Sequence, residues 1–315
     1  MGRSLISFTP VSTSDTKSKL QRPKSIKGIA FMALGMFLFC TVDTQAKFLT
    51  DTLHPIQIVW LRQLGLLFGV LVLLFVRGVS ILQTDHLKLQ ITRGTIVIIS
   101  PVCFVTALMF VPLADAVAVS FVAPFFVIIL AAIFLKEQIG LHRWAAVIIG
   151  FIATLIIIRP GLGVVHPAVF LVFIAASLFS VRQILSRYMS KSDRTITTIA
   201  YTALIGSFWL TFAMPFVWTW PTSNLEIILI ISISVLAAIA EISVIKALEL
   251  TEAVILGPVH YTLIVWGVFY GFVVFGQTPD LWTWIGTTII IMCGLYTLYR
   301  EWVLSNKKNR QLKSL

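Results

Sequence analysis

Long apolar runs separated by short polar stretches dominate the chain. Ten of them can be counted, at approximately 26–49, 56–76, 94–111, 116–135, 142–158, 167–186, 196–217, 226–246, 253–275 and 282–300. A hydrocarbon core of about 30 Å takes roughly 20 apolar residues per helix, and only helices or closed barrels satisfy the backbone there. The pattern therefore predicts an all-α integral membrane protein with ten transmembrane helices. The interruptions matter as much as the runs. The stretch CTVDTQAKFL places Asp43 and Lys47 at the end of the first segment, and Arg62, Arg182 and Glu241 lie inside others.

Composition agrees: 58% of the 315 residues are hydrophobic and 12% are charged, outside the range of soluble domains. The short connections leave no room for a soluble catalytic domain. A net charge of +11 raises the question of nucleic acid, but in a membrane protein basic residues are tested first against the positive-inside rule. With ten crossings and the N-terminus inside, all of the 24 Lys and Arg fall on the inner side except Lys47, Arg62, Arg159 and Arg182. Both termini are thus expected in the cytoplasm, in a multi-pass protein of the cytoplasmic membrane that binds no nucleic acid. Residues 1–25 are rich in Ser, Thr and Lys with no apolar signal core, and read as a disordered basic tail, as does 302–315. Cys40, Cys103 and Cys293 all lie in apolar runs, suggesting neither disulfide nor zinc site, and no cofactor fingerprint is present.

Sliding the chain against itself by 140 residues aligns Phe39 with Phe179, Asp43 with Gln183 and Lys47 with Arg187. It also aligns Ala107–Leu108 with Ala247–Leu248, Glu137 with Gln277 and Trp144 with Trp284. The expected organisation is two halves of five helices, 26–161 and 162–301. Five is odd, so the second half enters the bilayer the other way round, an inverted repeat of the kind on which many secondary transporters are built.

The segment LADAVAVSFVAPFFVIILAAIFLKEQIGLHRWAAVIIGFIATLIIIRPG (113–161) carries an acid at the start of a helix, a mid-helix Pro, an acid before the next helix, a Trp and a closing Arg-Pro-Gly. It resembles the end of the first repeat of ten-helix carriers with two EamA repeats in the drug/metabolite transporter superfamily, and 246–301 resembles the second. Lys136 stands where Gly is usual and Gln277 where Glu is usual. The resemblance implies transport of a small organic solute. The segment DTQAKFLTDTLHPIQIVWLRQLG is most similar to the branch with bacterial riboflavin importers and S-adenosylmethionine uptake carriers, which implies uptake of a vitamin or nucleoside-like metabolite such as riboflavin. An S-adenosylmethionine carrier or an exporter of amino acids or metabolites is the alternative.

An ionisable group in the hydrocarbon core costs about 2.5 to 3.5 kcal/mol on insertion scales and marks a functional candidate. Asp43 and Lys47, at i and i+4, share a helix face and read as a pair closing the end of helix 1 or as a substrate gate. Arg62 is placed to pair with Asp43 across the helix 1–2 hairpin or to present its fork to an anionic or carbonyl group; Asp43, Lys47 and Arg62 are expected to form one charge cluster. Arg182 and Gln183 lie near the inner end of helix 6, where Arg182 reads as snorkelling or as part of the site. Glu241 is a candidate for a coupling proton or for a structural ion pair with Lys246 or Arg182. Pro124 and Pro258, at comparable depths in the two halves, are expected to open helices 4 and 9, which makes His260, Tyr261 and Trp266 candidates for contact with a planar substrate.

No GxxxxGKS, HExxH, GxSxG or DDxxD motif occurs, so neither ATP drive nor integral-membrane catalysis is expected. A non-transporting membrane scaffold or receptor is the competing class.

Overall fold

A computed structural model describes residues 13–134, 141–158, 166–189, 193–250, 259 and 262–313. Among them there are α-helices, one short 3-10 turn at Val79–Leu82 and no strand. The first half holds α1 (Thr13–Leu49), α2 (Pro55–Arg77), α3 (Leu87–Leu108), α4 (Leu113–Ser120), α5 (Ala123–Phe134) and α6 (Leu141–Ile158). The second holds α7 (Val169–Met189), α8 (Thr195–Val217), α9 (Asn224–Leu250), α10 (Thr262–Phe275) and α11 (Leu281–Lys313).

Six of these contain stretches long and apolar enough to cross a bilayer: Ile26–Leu49, Pro55–Arg77, Leu87–Leu108, Val169–Ser186, Thr195–Val217 and Asn224–Val244. Leu113–Val127, Ile148–Ile157, Thr262–Phe275 and Leu281–Cys293 are shorter apolar helical stretches. The chain is a multi-pass membrane protein, and large apolar side chains such as Phe75, Phe212 and Phe216 stand exposed on its outside, as a lipid-facing surface requires.

The fourth predicted segment is broken. α4 stops at Ser120 and α5 starts at Ala123, with Phe121 and Val122 held by bonds to the carbonyls three residues back. Pro124 has no N–H to give to Ser120. The expected opening at Pro124 is therefore present. Pro258 lies outside the described residues. Two further prolines, Pro101 in α3 and Pro215 in α8, sit within continuous helices.

Packing repeats with the sequence. α1 lies against α9 as α7 lies against α3, α2 against α9 as α8 against α3, and α1 against α10 as α7 against α5. α2 with α8 and α6 with α11 are pairs that the exchange of halves maps onto themselves. The 140-residue register holds at the level of single contacts. A Cβ on Gly65 would stand 2.0 Å from the Ser234 carbonyl oxygen, and a Cβ on Gly94 would stand 2.9 Å from Ile205 Cβ. Adding 140 to Gly65 gives Ile205, and to Gly94 gives Ser234, so these are one contact made twice. Ser100 donates to the Ala175 carbonyl at 2.9 Å, and its counterpart brings Gly35 against Ala240, whose carbonyl oxygen a Cβ would meet at 3.4 Å. Close backbone approach of this kind is what holds helices together where lipid removes the hydrophobic driving force.

Candidate functional site

The ionisable residues of the spans collect in a layer enclosed by α1, α2, α3, α7, α8 and α9. Arg62 Nη1 reaches Asp43 Oδ1 at 3.2 Å, and its guanidinium lies over the Phe39 ring at 5.6 Å. The expected pairing across the α1–α2 hairpin is present. Asp43 lies six residues before the end of α1, about 9 Å along the axis, well inside the apolar zone.

Lys47 is not the third member of that pair. Its Nζ turns to α3, donating to the carbonyls of Leu108 at 2.6 Å and Val111 at 2.8 Å. These lie where α3 ends, where helical carbonyls lack intrahelical donors and the dipole is negative. An ammonium is stabilised there more than beside a carboxylate already holding an arginine, so the predicted three-member cluster resolves into a pair and a separate helix cap. Lys47 also sits 5.5 Å from the Phe275 ring centroid.

Arg93 is the residue that sequence reasoning missed. Counted there among the inner-side cations, it is buried instead. Its Nε donates to Ser186 Oγ at 2.6 Å and its Nη1 to Thr202 Oγ1 at 2.5 Å. The predicted third segment begins at residue 94, just past Arg93, whereas α3 starts at Leu87 and carries Arg93 six residues in.

Arg182 lies one turn before Ser186 on α7, with its guanidinium 4.8 Å from the Phe179 ring centroid. It does not snorkel: its Nε is sealed from solvent and donates to no acceptor among the described residues. It lies within electrostatic range of Glu241 on α9 and of Arg62, and Arg93 within range of both Arg182 and Glu241. Glu241 is partly buried, and neither Arg182 nor Arg93 is within ion-pair distance of it. Phe39 and Phe179, mates in the 140-residue register, thus each carry a guanidinium on the ring face, one from a neighbouring helix and one from its own.

The remaining candidates separate. Gln183, the register mate of Asp43, is exposed and stands outside the layer. Trp266 packs edge-on against Phe37 at 4.9 Å and belongs to an α1–α10 aromatic ladder with Phe269 and Tyr270, whose hydroxyl meets Thr41 Oγ1 at 2.9 Å. His260 and Tyr261 lie outside the described residues.

The layer is fastened at both ends. Beyond Arg62, Gln57 donates to the Thr219 carbonyl and accepts from the Thr219 N–H and hydroxyl, at 2.8 to 3.0 Å, tying α2 to the segment after α8. Beyond Arg93, Asp193 accepts from the Thr84 hydroxyl and from Gln90 Nε2, joining the approach to α3 to the α7–α8 connection. Burial alone would raise the Asp193 carboxyl, but bonds from Thr84, Gln90 and the Asp85 N–H, with the nearby His86, outweigh it and hold it below its usual value. An apolar groove of about 650 Å³ between α2 and α8, lined by Leu67, Phe208, Phe212 and Phe216 among others, opens outward and lacks the charge to select a metabolite.

Comparison with known proteins identifies the family. The EamA-like transporter family model matches residues 26–159 and again 166–300. The chain belongs to that family, in two copies of its domain, and is a small-metabolite transporter by that membership. It is 24% identical to the S-adenosylmethionine uptake transporter of Rickettsia felis, over 90% of this chain and 96% of that one. It is 29% identical to the riboflavin transporter of Brucella anthropi, over 71% and 81%, and 25% identical to a pseudopaline exporter of Pseudomonas aeruginosa, over 84% and 93%. A solved crystal structure shares the fold with a TM-score of 0.59 at 15% identity, over 87% of this chain and 95% of that one.

Proposed function

We propose that this protein is a secondary transporter that carries a small organic metabolite across the cytoplasmic membrane by alternating access, with the substrate held in the charged layer between its two halves. In this reading all ten apolar helices cross the bilayer. The halves, 26–161 and 162–301, run in opposite directions, and the basic tails 1–25 and 302–315 both lie in the cytoplasm. The observation that carries the reading is the layer itself: Asp43, Arg62, Arg93, Arg182 and Glu241 face one another deep within apolar helices. Charges are kept at such depth where they serve a pathway. The two-fold correspondence of packing supplies the moving parts, since one half rocking on the other exposes a midplane site to each side in turn.

Uptake of a vitamin or nucleoside-like metabolite, riboflavin or S-adenosylmethionine, fits the names borne by its relatives. A proton moving with the substrate is taken up at Glu241, a carboxylate deep in a helix that no described cation pairs directly. The protein supplies no catalytic step. Purified protein in proteoliposomes with an imposed proton gradient, offered labelled riboflavin and S-adenosylmethionine, tests the reading. Saturable uptake above empty liposomes is expected for one of them, and uptake no faster than leakage for both, in protein that melts cooperatively, would overturn it.

A further inference from the structure

The layer is not electrically balanced, and its surplus has an address. Among the described residues three guanidinium groups, those of Arg62, Arg93 and Arg182, stand with two carboxylates, Asp43 and Glu241, which leaves one positive charge uncompensated among them. Two of the arginines are occupied. Arg62 is committed to Asp43 at 3.2 Å and to the face of Phe39, and Arg93 to the Ser186 and Thr202 hydroxyls. Arg182 is not: its Nε is buried without a hydrogen bond among the described residues, although it feels both other arginines and Glu241. A buried donor of this strength left unmade is costly, and the like charges of Arg62 and Arg93 within its electrostatic range raise that cost unless an anion joins them. The position is also built to hold direction. The Phe179 ring lies against the guanidinium, and Ser186, one turn on, bonds back to the Arg182 carbonyl while receiving Arg93, so α7 presents Arg182 next to a fixed second cation.

We infer that Arg182 is the seat for a carboxylate on the transported metabolite, with Arg93 behind it and Phe179 beneath it, so that the carrier selects solutes bearing one acid group. A planar guanidinium fork matches a carboxylate with two parallel N–H bonds, and one carboxylate offsets the surplus charge that the layer carries before Glu241 takes its proton. A neutral flavin ring system offers no such group. The inference rests on the transport reading above and narrows it from any small metabolite to an acid.

The test uses purified full-length protein in detergent and in proteoliposomes, with S-adenosylmethionine and decarboxylated S-adenosylmethionine, which differ by the carboxylate alone, and with riboflavin. The wild type should bind the carboxylated probe at least tenfold more tightly than its decarboxylated partner. Arg182→Gln should erase that ratio by weakening the carboxylated probe and not its decarboxylated partner, and Arg182→Lys should restore part of it, since charge returns without the fork. Equal wild-type affinity for the two probes, or a loss in R182Q that falls on both alike, would overturn the inference, the latter by showing a structural role. Binding and uptake of riboflavin with no response to either adenosyl probe would also overturn it while leaving the transport reading intact. Cooperatively melting protein that takes up none of the three would remove both.

Discussion

Arg62 and Asp43 meet at 3.2 Å across the α1–α2 hairpin, each largely withdrawn from solvent, with 22% and 12% of the side chain exposed. Removing one member of a fully buried ion pair costs about 3 to 5 kcal/mol because its partner is left uncompensated; partial exposure places this pair at or below the lower end. Arg62→Ala and Asp43→Asn are each expected to lower the melting temperature in detergent and to lower uptake. The double neutral variant should recover most of the melting temperature but not uptake. Full recovery of uptake would assign the pair to structure alone.

Gly65 and Gly69 lie one turn apart on α2 and provide an internal control. A Cβ at 65 would stand 2.0 Å from a backbone oxygen of α9, while one at 69 would meet nothing within 4 Å. Overpacking costs about 1 to 3 kcal/mol, so Gly65→Ala should melt several degrees below wild type. Gly69→Ala should match wild type or exceed it slightly, because alanine is the better helix former. Gly94→Ala, in the register counterpart of that contact, is expected to melt below wild type as well. Thermal melts followed by size-exclusion chromatography read all three.

Asp193 predicts an acid dependence with a definite sign. Its carboxyl is held below the ordinary value of 3.8 by its hydrogen bonds, so the unfolded chain binds the proton more readily than the native one. The stability it contributes is present above that ordinary value and is lost as pH falls through the lower native one. Wild-type minus Asp193→Asn melting difference should therefore be constant from neutral pH down to about pH 5 and shrink below about pH 4. A difference that grew with acidification would contradict the assignment.

The sidedness of the halves is open to labelling. Single cysteines beside Asp85 and Asp193, bridged through Thr84, should both react with a membrane-impermeant maleimide only from the cytoplasmic side. Cysteines beside Asn224 and Pro279 should react only from outside. Reaction of the Asp193 and Asn224 positions from the same side would rule out the inverted arrangement.

The hydropathy of the chain was enough to locate its apolar helices, because in lipid a span must be apolar along its whole length. The repeat was legible too, since polar residues at matching spacing stand out against that background. The Asp43–Arg62 pair was accessible for the same reason: two opposite charges on helices joined by a short loop have few other partners. Lys47 was misread because its acceptors, the carbonyls of Leu108 and Val111, are backbone atoms brought near by packing of α1 on α3, and no residue type announces them. Arg93 was misread because a cation a turn and a half from a helix end fits the rule for cytoplasmic charges as well as it fits burial. Its partners Ser186 and Thr202 lie roughly a hundred residues away, and only the tertiary fold distinguishes the two.

The paired contact of Gly65 with Ser234 and of Ile205 with Gly94 bears on how such a chain descends from a duplicated gene. Each contact needs one absent side chain, but the two copies supply it at positions that do not correspond: α2 gives way in one contact and α3 in the other, and both glycines lie in the first half. Aligning the two halves residue by residue therefore pairs a glycine with an isoleucine and another with a serine, scoring as divergence two positions that occupy the same close contact between helices.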